Sequence, residues 1–217
     1  MPEARTIEGG AVRELIFVPA IVTLAVTLLR LLGELMNWSP VLFSRAAGGG
    51  GALVGISWLI PVFGAYFAVK LSRSGYGPAS IARAFLLALV AGALAIGSGL
   101  AAGRLWGELP GFLVVSLVGV ALIALAYRGW PALGKTLLAY AFAARVPVAI
   151  VMLLAILGDW GTHYDVTPPS FPAISAFRRW LWIGLFPQMT FWIFLTVVGG
   201  MVAGSIAAAF VGRRAAA

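Results

Sequence analysis

Apolar and polar residues do not alternate along this chain with the period of a half-buried strand. The apolar positions gather instead into runs approaching the ~20 residues a helix needs to cross ~30 Å of hydrocarbon. Six such runs stand at about 15–33, 52–71, 81–102, 109–128, 135–157 and 188–212. Turn-forming stretches separate them: NWSP (37–40) with the glycine run 48–51, SRSGYGP (72–78), RLWGELP (104–110), RGWP (128–131) and the longer GDWGTHYDVTPPSFP (158–172). A lipid-exposed segment must satisfy its own backbone hydrogen bonds, so each run is expected to be a helix. The pattern therefore predicts one all-α transmembrane domain over 1–217, with six spans. The first run is too long for the core of a signal peptide and is expected to remain as a span.

The region before the last run needs its own reading. In AISAFRRWLWIG (173–184), Ile174, Phe177 and Leu181 can share one helical face, with Ser175, Arg178 and Arg179 elsewhere. Two structures fit: a short helix lying along the interface within an outer loop 158–187, or an early start of the last helix with a kink at Pro187.

Small residues recur at a spacing of four. Ala91, Ala95, Gly99 and Gly103 form one such stripe, and Gly200, Gly204 and Ala208 another. Stripes of this kind let helix backbones approach closely in lipid. The third and sixth helices thus match, and the second and fifth each carry a central proline, Pro61 and Pro147. The chain is compatible with a 3+3 inverted repeat, a layout found in many secondary transporters.

Composition agrees with the spans: 62% of residues are hydrophobic and 10% charged, against ~25% charged in soluble domains. Mean hydropathy is +1.02. The net charge of +8 comes from 15 Lys and Arg against 7 Asp and Glu. In this setting it indicates contact with anionic headgroups; no nucleic-acid-binding signature accompanies it. With both termini inside, Arg5, Arg13, Lys70, Arg73, Arg83, Arg128, Lys135, Arg213 and Arg214 share the inner side. Arg45, Arg104, Arg178 and Arg179 fall outside, with Arg30 near the outer end of the first helix. That bias predicts an N-in, C-in protein of a bacterial-type inner membrane. There is no cysteine, hence no disulfide or thiolate chemistry.

The candidate chemistry centres on Arg145, midway along an otherwise apolar run and two residues before Pro147. An arginine at a helix centre costs ~2.5–3.5 kcal/mol even on lenient insertion scales, so it must face the protein interior or a wet cavity. Pro147 lacks an N–H and frees the carbonyl of Ala143. No Asp or Glu lies centrally in any run; Glu34 and Glu108, both near outer helix ends, are the nearest acidic partners. An uncompensated arginine suits an anion or a lipid headgroup. Gln188, Thr190 and the aromatic Trp192, with Phe191 and Phe194, are placed to help line such a site. Asp159, His163 and Asp165 form a second polar cluster, expected to be a hydrogen-bonded outer turn and not a metal site.

The chain has no H-E-x-x-H, no G-x-S-x-G, no P-loop and no intramembrane aspartate pair. Neither an enzymatic activity nor a cofactor is expected. Two functions remain. The chain is a transporter-like bundle that binds a small anionic or polar solute, or a lipid headgroup, through Arg145. Alternatively, it is a non-catalytic subunit whose small-residue stripes dock partner helices or a second copy of itself.

Overall fold

The computed structural model describes residues 7–168 and 171–215, with side chains to residue 211. Glu3, Arg5, Pro169 and Ser170, and the side chains of Arg213 and Arg214, lie outside it. Among the described residues the protein is all helical, without strands. Helix α1 spans Gly9–Leu35, α2 Leu59–Arg73, α3 Ile81–Trp106, α4 Glu108–Gly129 and α5 Pro131–Gly158. Then follow α6 (Ala176–Arg179), a π-helical turn Trp180–Leu185, α7 (Phe186–Met189) and α8 (Phe191–Ala215). Four of these helices, α1, α3, α4 and α5, and the stretch Ala176–Val211, are long and apolar enough to cross a membrane. The protein is thus an all-α membrane bundle.

Local chemistry explains the helix ends. Ser80 caps α3 by accepting from the Arg83 N–H at 3.2 Å, a usual N-cap bond. Pro131 opens α5, where its missing N–H is harmless. Gly107, at φ 100°, lets α3 turn straight into α4. Within that hairpin a β-carbon on Gly111 would lie 2.8 Å from the Gly103 Cα, so the two backbones are nearly in contact.

Helix α8 is the hub and packs on α2, α3, α4 and α5, whereas α1 packs chiefly on α5. Its closest approach is to α2: a β-carbon at Gly64 would stand 2.5 Å from the carbonyl oxygen of Gly200. Gly204 faces Leu133 and the Gly64 carbonyl, and Ala208 is buried. In α3, Ala91 and Ala95 are fully buried and Gly99 abuts Val115 of α4. Both small-residue stripes are therefore used within the chain.

The two ends of the bundle are distinct. At one, Lys135 Nζ donates to the Ile7 carbonyl at 2.8 Å and Trp130 Nε1 to the Tyr76 carbonyl at 2.7 Å. These bonds tie the start of α1 and the residues after α2 to the α4–α5 turn. Glu34, Gly49 and His163 meet at the opposite end.

Two expectations change. The second helix does not begin near residue 52 but at Leu59, because the glycine-rich stretch before it forms a loop. Gly48, Gly49 and Gly51 have positive φ, and the Leu53 and Val54 N–H groups donate back to the Val41 and Leu42 carbonyls at 3.1 and 3.0 Å. Pro61 consequently sits in the first turn of α2, while Pro147 lies deep within α5. The proposed repeat loses that match, and the packing does not restore it. Helix α1 packs on α5, but its repeat counterpart α4 has no comparable contact with α2 among the described residues. For the segment before α8, where two structures fit the sequence, the described residues are helical from Ala176 onward. Its irregularities are the π turn and Thr190 (φ −119°, ψ −82°), with Pro187 inside the first turn of α7.

Candidate functional site

The face of α1 turned inward is polar. Thr23, Thr27, Arg30 and Glu34 follow one another at spacings of four, three and four, and all are buried. The threonine hydroxyls donate to the carbonyls one turn back, Thr23 to Pro19 at 2.8 Å and Thr27 to Thr23 at 2.9 Å. Thr23 also shares a hydrogen bond with the Tyr140 hydroxyl of α5, at 2.7 Å. Taken singly, Thr23 and Thr27 are ordinary in a membrane helix, and Arg30 and Glu34 read as charges near a helix end. Their joint register is the signal that reading each residue separately misses.

At the C-terminal end of the stripe, Glu34 is the centre of a clasp. Its Oε1 accepts from Arg30 Nε at 2.9 Å and from His163 Nδ1 at 2.5 Å, and its Oε2 from the His163 backbone N–H at 2.8 Å. Arg45 donates to the Glu34 main-chain carbonyl. Arg30 Nη2 continues to the Gly49 carbonyl at 2.9 Å and the Ser44 carbonyl at 3.3 Å. The glycine loop, α1 and the chain after α5 are thus held by one carboxylate. Burial lowers the His163 pKa below its ordinary value, although the Glu34 carboxylate pulls the other way. Because a carboxylate oxygen only accepts, the Nδ1–H of the ring is the donor to Glu34. Burial likewise pushes the Tyr164 phenol upward; its hydroxyl donates to the Thr27 carbonyl at 3.2 Å.

The cluster Asp159, His163 and Asp165 is split by the fold. Asp165 accepts from the Gly161 and Thr162 N–H groups at 2.8 and 2.7 Å and from the Thr162 hydroxyl at 2.6 Å. Asp159 ends α5 in the left-handed region and is exposed. Asp165 is buried within its own turn, and of the three His163 lines the cavity.

Arg145 lies near the middle of α5, 3% exposed. Neither suggested acid reaches it: Glu34 is engaged in the clasp and Glu108 is exposed. Among the described residues no hydrogen-bond partner exists for its buried Nε. Its guanidinium stands instead over the Trp192 indole, 4.5 Å from the ring centre. Such a contact is worth ~2 kcal/mol when desolvated, less than the ~2.5–3.5 kcal/mol of placing the charge there. The arginine is therefore left short of compensation.

A cavity of about 570 Å³ joins the clasp to this arginine. Arg30, His163 and the glycine loop line it together with Arg145, Gln188 and Trp192. Apolar side chains of Val148, Met152, Ile183, Phe112 and Phe191 are also part of its walls. Gln188 is also under-satisfied: its buried Oε1 has no partner, and its Nε2 points at Met152 Sδ, 3.7 Å away. Thr190 stands apart from this lining; its hydroxyl donates to the Phe186 carbonyl at 2.6 Å. Phe194 is in the core, where a β-carbon on Gly119 would lie 2.7 Å from its ring. The structure thus brings Arg145, Gln188 and Trp192 together and leaves Thr190 and Phe194 elsewhere.

No protein-family model, curated protein or solved structure matches this chain.

Proposed function

We propose that this membrane protein binds a small anionic or polar ligand, a solute or a lipid headgroup, in the cavity between α1, α5 and the start of α8. The protein is then a binding or transport bundle with Arg145 as the charged contact. The observation that carries this reading is a buried guanidinium, facing a cavity, whose Nε has no acceptor. A purely structural arginine in lipid is paired with a carboxylate or with carbonyls. The scaffold alternative is less well supported, since the stripes it relies on are covered by helices of the same chain. The cation distribution favours the clasp facing the outside of a bacterial-type inner membrane.

The test is thermal stability of the purified protein with a panel of anions, for the wild type and Arg145→Gln. A ligand that binds only the folded form raises Tm with concentration. Stabilisation of the wild type alone supports the reading. A variant that melts earlier, with no anion shifting either protein, returns the arginine to a structural role.

A further inference from the structure

The cavity holds two incomplete groups of opposite hydrogen-bonding character. Arg145 is a cation with an unused donor, and Gln188, 7% exposed, has an unused acceptor in Oε1. Trp192 covers one side of the guanidinium, so an anion is best received at the open edge. There the planar fork of N–H groups matches the two oxygens of a carboxylate or phosphate. Those oxygens only accept, and so leave Gln188 Oε1 unsatisfied. A hydroxyl or amide N–H on the same molecule would complete it.

The remaining walls fix the third property. Phe112, Val148, Met152, Ile183 and Phe191 line the same cavity, and its other arginine, Arg30, is already paired with Glu34. The volume of about 570 Å³ falls among pockets for organic ligands and far exceeds one inorganic ion. A small hydrated anion would leave most of that apolar surface facing water.

Resting on the anion-binding reading above, we infer that the ligand is an amphipathic organic anion with a hydrogen-bond donor near its head. The carboxylate or phosphate sits at Arg145, the hydroxyl or amide at Gln188, and an apolar body against Phe112, Ile183 and Phe191. A hydroxylated phospholipid of the bilayer and a free hydroxy-acid amphiphile share this chemistry.

The full chain in phosphatidylcholine nanodiscs would be titrated with inorganic phosphate, acetate, decanoate and 3-hydroxydecanoate, following Tm and ligand retention by native mass spectrometry. Discs containing phosphatidylglycerol form a separate arm. Decanoate should bind where acetate and phosphate do not. Hydroxydecanoate should bind about tenfold more tightly than decanoate, as one added buried hydrogen bond implies. Gln188→Met should erase that preference, so that the variant binds the two acids alike, and Arg145→Lys, which keeps the charge but not the fork, should weaken both acids. Protection by phosphatidylglycerol without added acid identifies the bilayer as the source; protection only by added acid identifies a free amphiphile.

Equal binding of the two acids by the wild type, or a preference that survives Gln188→Met, overturns the donor. Protection by phosphate or acetate equal to that by decanoate overturns the apolar body, while the anion reading stands. If no anion or lipid shifts the wild type and Arg145→Lys is indifferent to all of them, the anion reading fails as well.

Discussion

Arg145 and Trp192 face one another across the α5–α8 interface, with the guanidinium carbon 4.5 Å from the centre of the indole. The contact places a fixed charge beside a polarisable face at a depth where water is scarce. Trp192→Phe keeps a weaker aromatic face, whereas Trp192→Leu removes it. The leucine variant should be less stable than the phenylalanine variant by about 1 kcal/mol beyond the difference in buried area. Denaturant unfolding in detergent measures this; equal stabilities would mean the indole acts only as apolar bulk.

Gly64→Ala should destabilise the bundle by about 1–3 kcal/mol, because the new methyl meets the Gly200 carbonyl and neither backbone has room to retreat. Gly97→Ala is the control. No atom lies within 4 Å of its β-carbon position, and alanine is the better helix former. Its melting temperature should match or exceed that of the wild type.

Glu34→Gln should cost about 3–5 kcal/mol, the usual penalty for removing one partner of a buried ion pair. Arg30 would be left charged without its carboxylate, and His163 would lose an ionic acceptor. The loosening should spread to the glycine loop, because Arg30 also holds Gly49. Hydrogen exchange at residues 47–55 reads this directly, and slow exchange there in the variant would show that the loop holds itself.

His163 sets a pH dependence with a definite sign. Its folded-state pKa lies below the unfolded value, so the unfolded chain binds the proton more readily. The stabilisation is full above about pH 6.5, the unfolded imidazole value. It is lost as pH falls through the depressed folded value. Melting temperature should therefore drop between neutral and mildly acidic pH, before the carboxylates titrate, and His163→Gln should flatten this part of the curve.

How much of this was legible in the sequence follows from the kind of signal each feature leaves. Helices α1, α3, α4 and α5 are written as long apolar runs. The run at 52–71 reads alike, but Gly51 stands just before it and Gly55 in its first third, and Gly55 lies against Arg30 Nη1, at 3.1 Å from a β-carbon position. There the loop turns Gly55 and Ile56 toward the cavity while Leu53 and Trp58 stay exposed, so hydropathy alone does not separate it from a span. Arg145 and Gln188 stand out as polar groups in apolar surroundings. The clasp does not, since Glu34 and His163 are 129 residues apart and only the fold brings them together. Arg30, counted by its place in a charge tally, is in fact committed to a buried network.

Helix α2 has only 15 residues, and at 1.5 Å per residue it reaches about 22 Å. That is roughly 8 Å less than a typical hydrocarbon core. Its far end is anchored near Trp130 through Tyr76, so the whole shortfall lies on the clasp side, where the glycine loop replaces the missing turns. A bilayer meeting this face would thin locally to match it, at fractions of a kcal/mol per Å. Because the glycine loop lines the same cavity as Arg145, such thinning would shorten the path from water to that arginine.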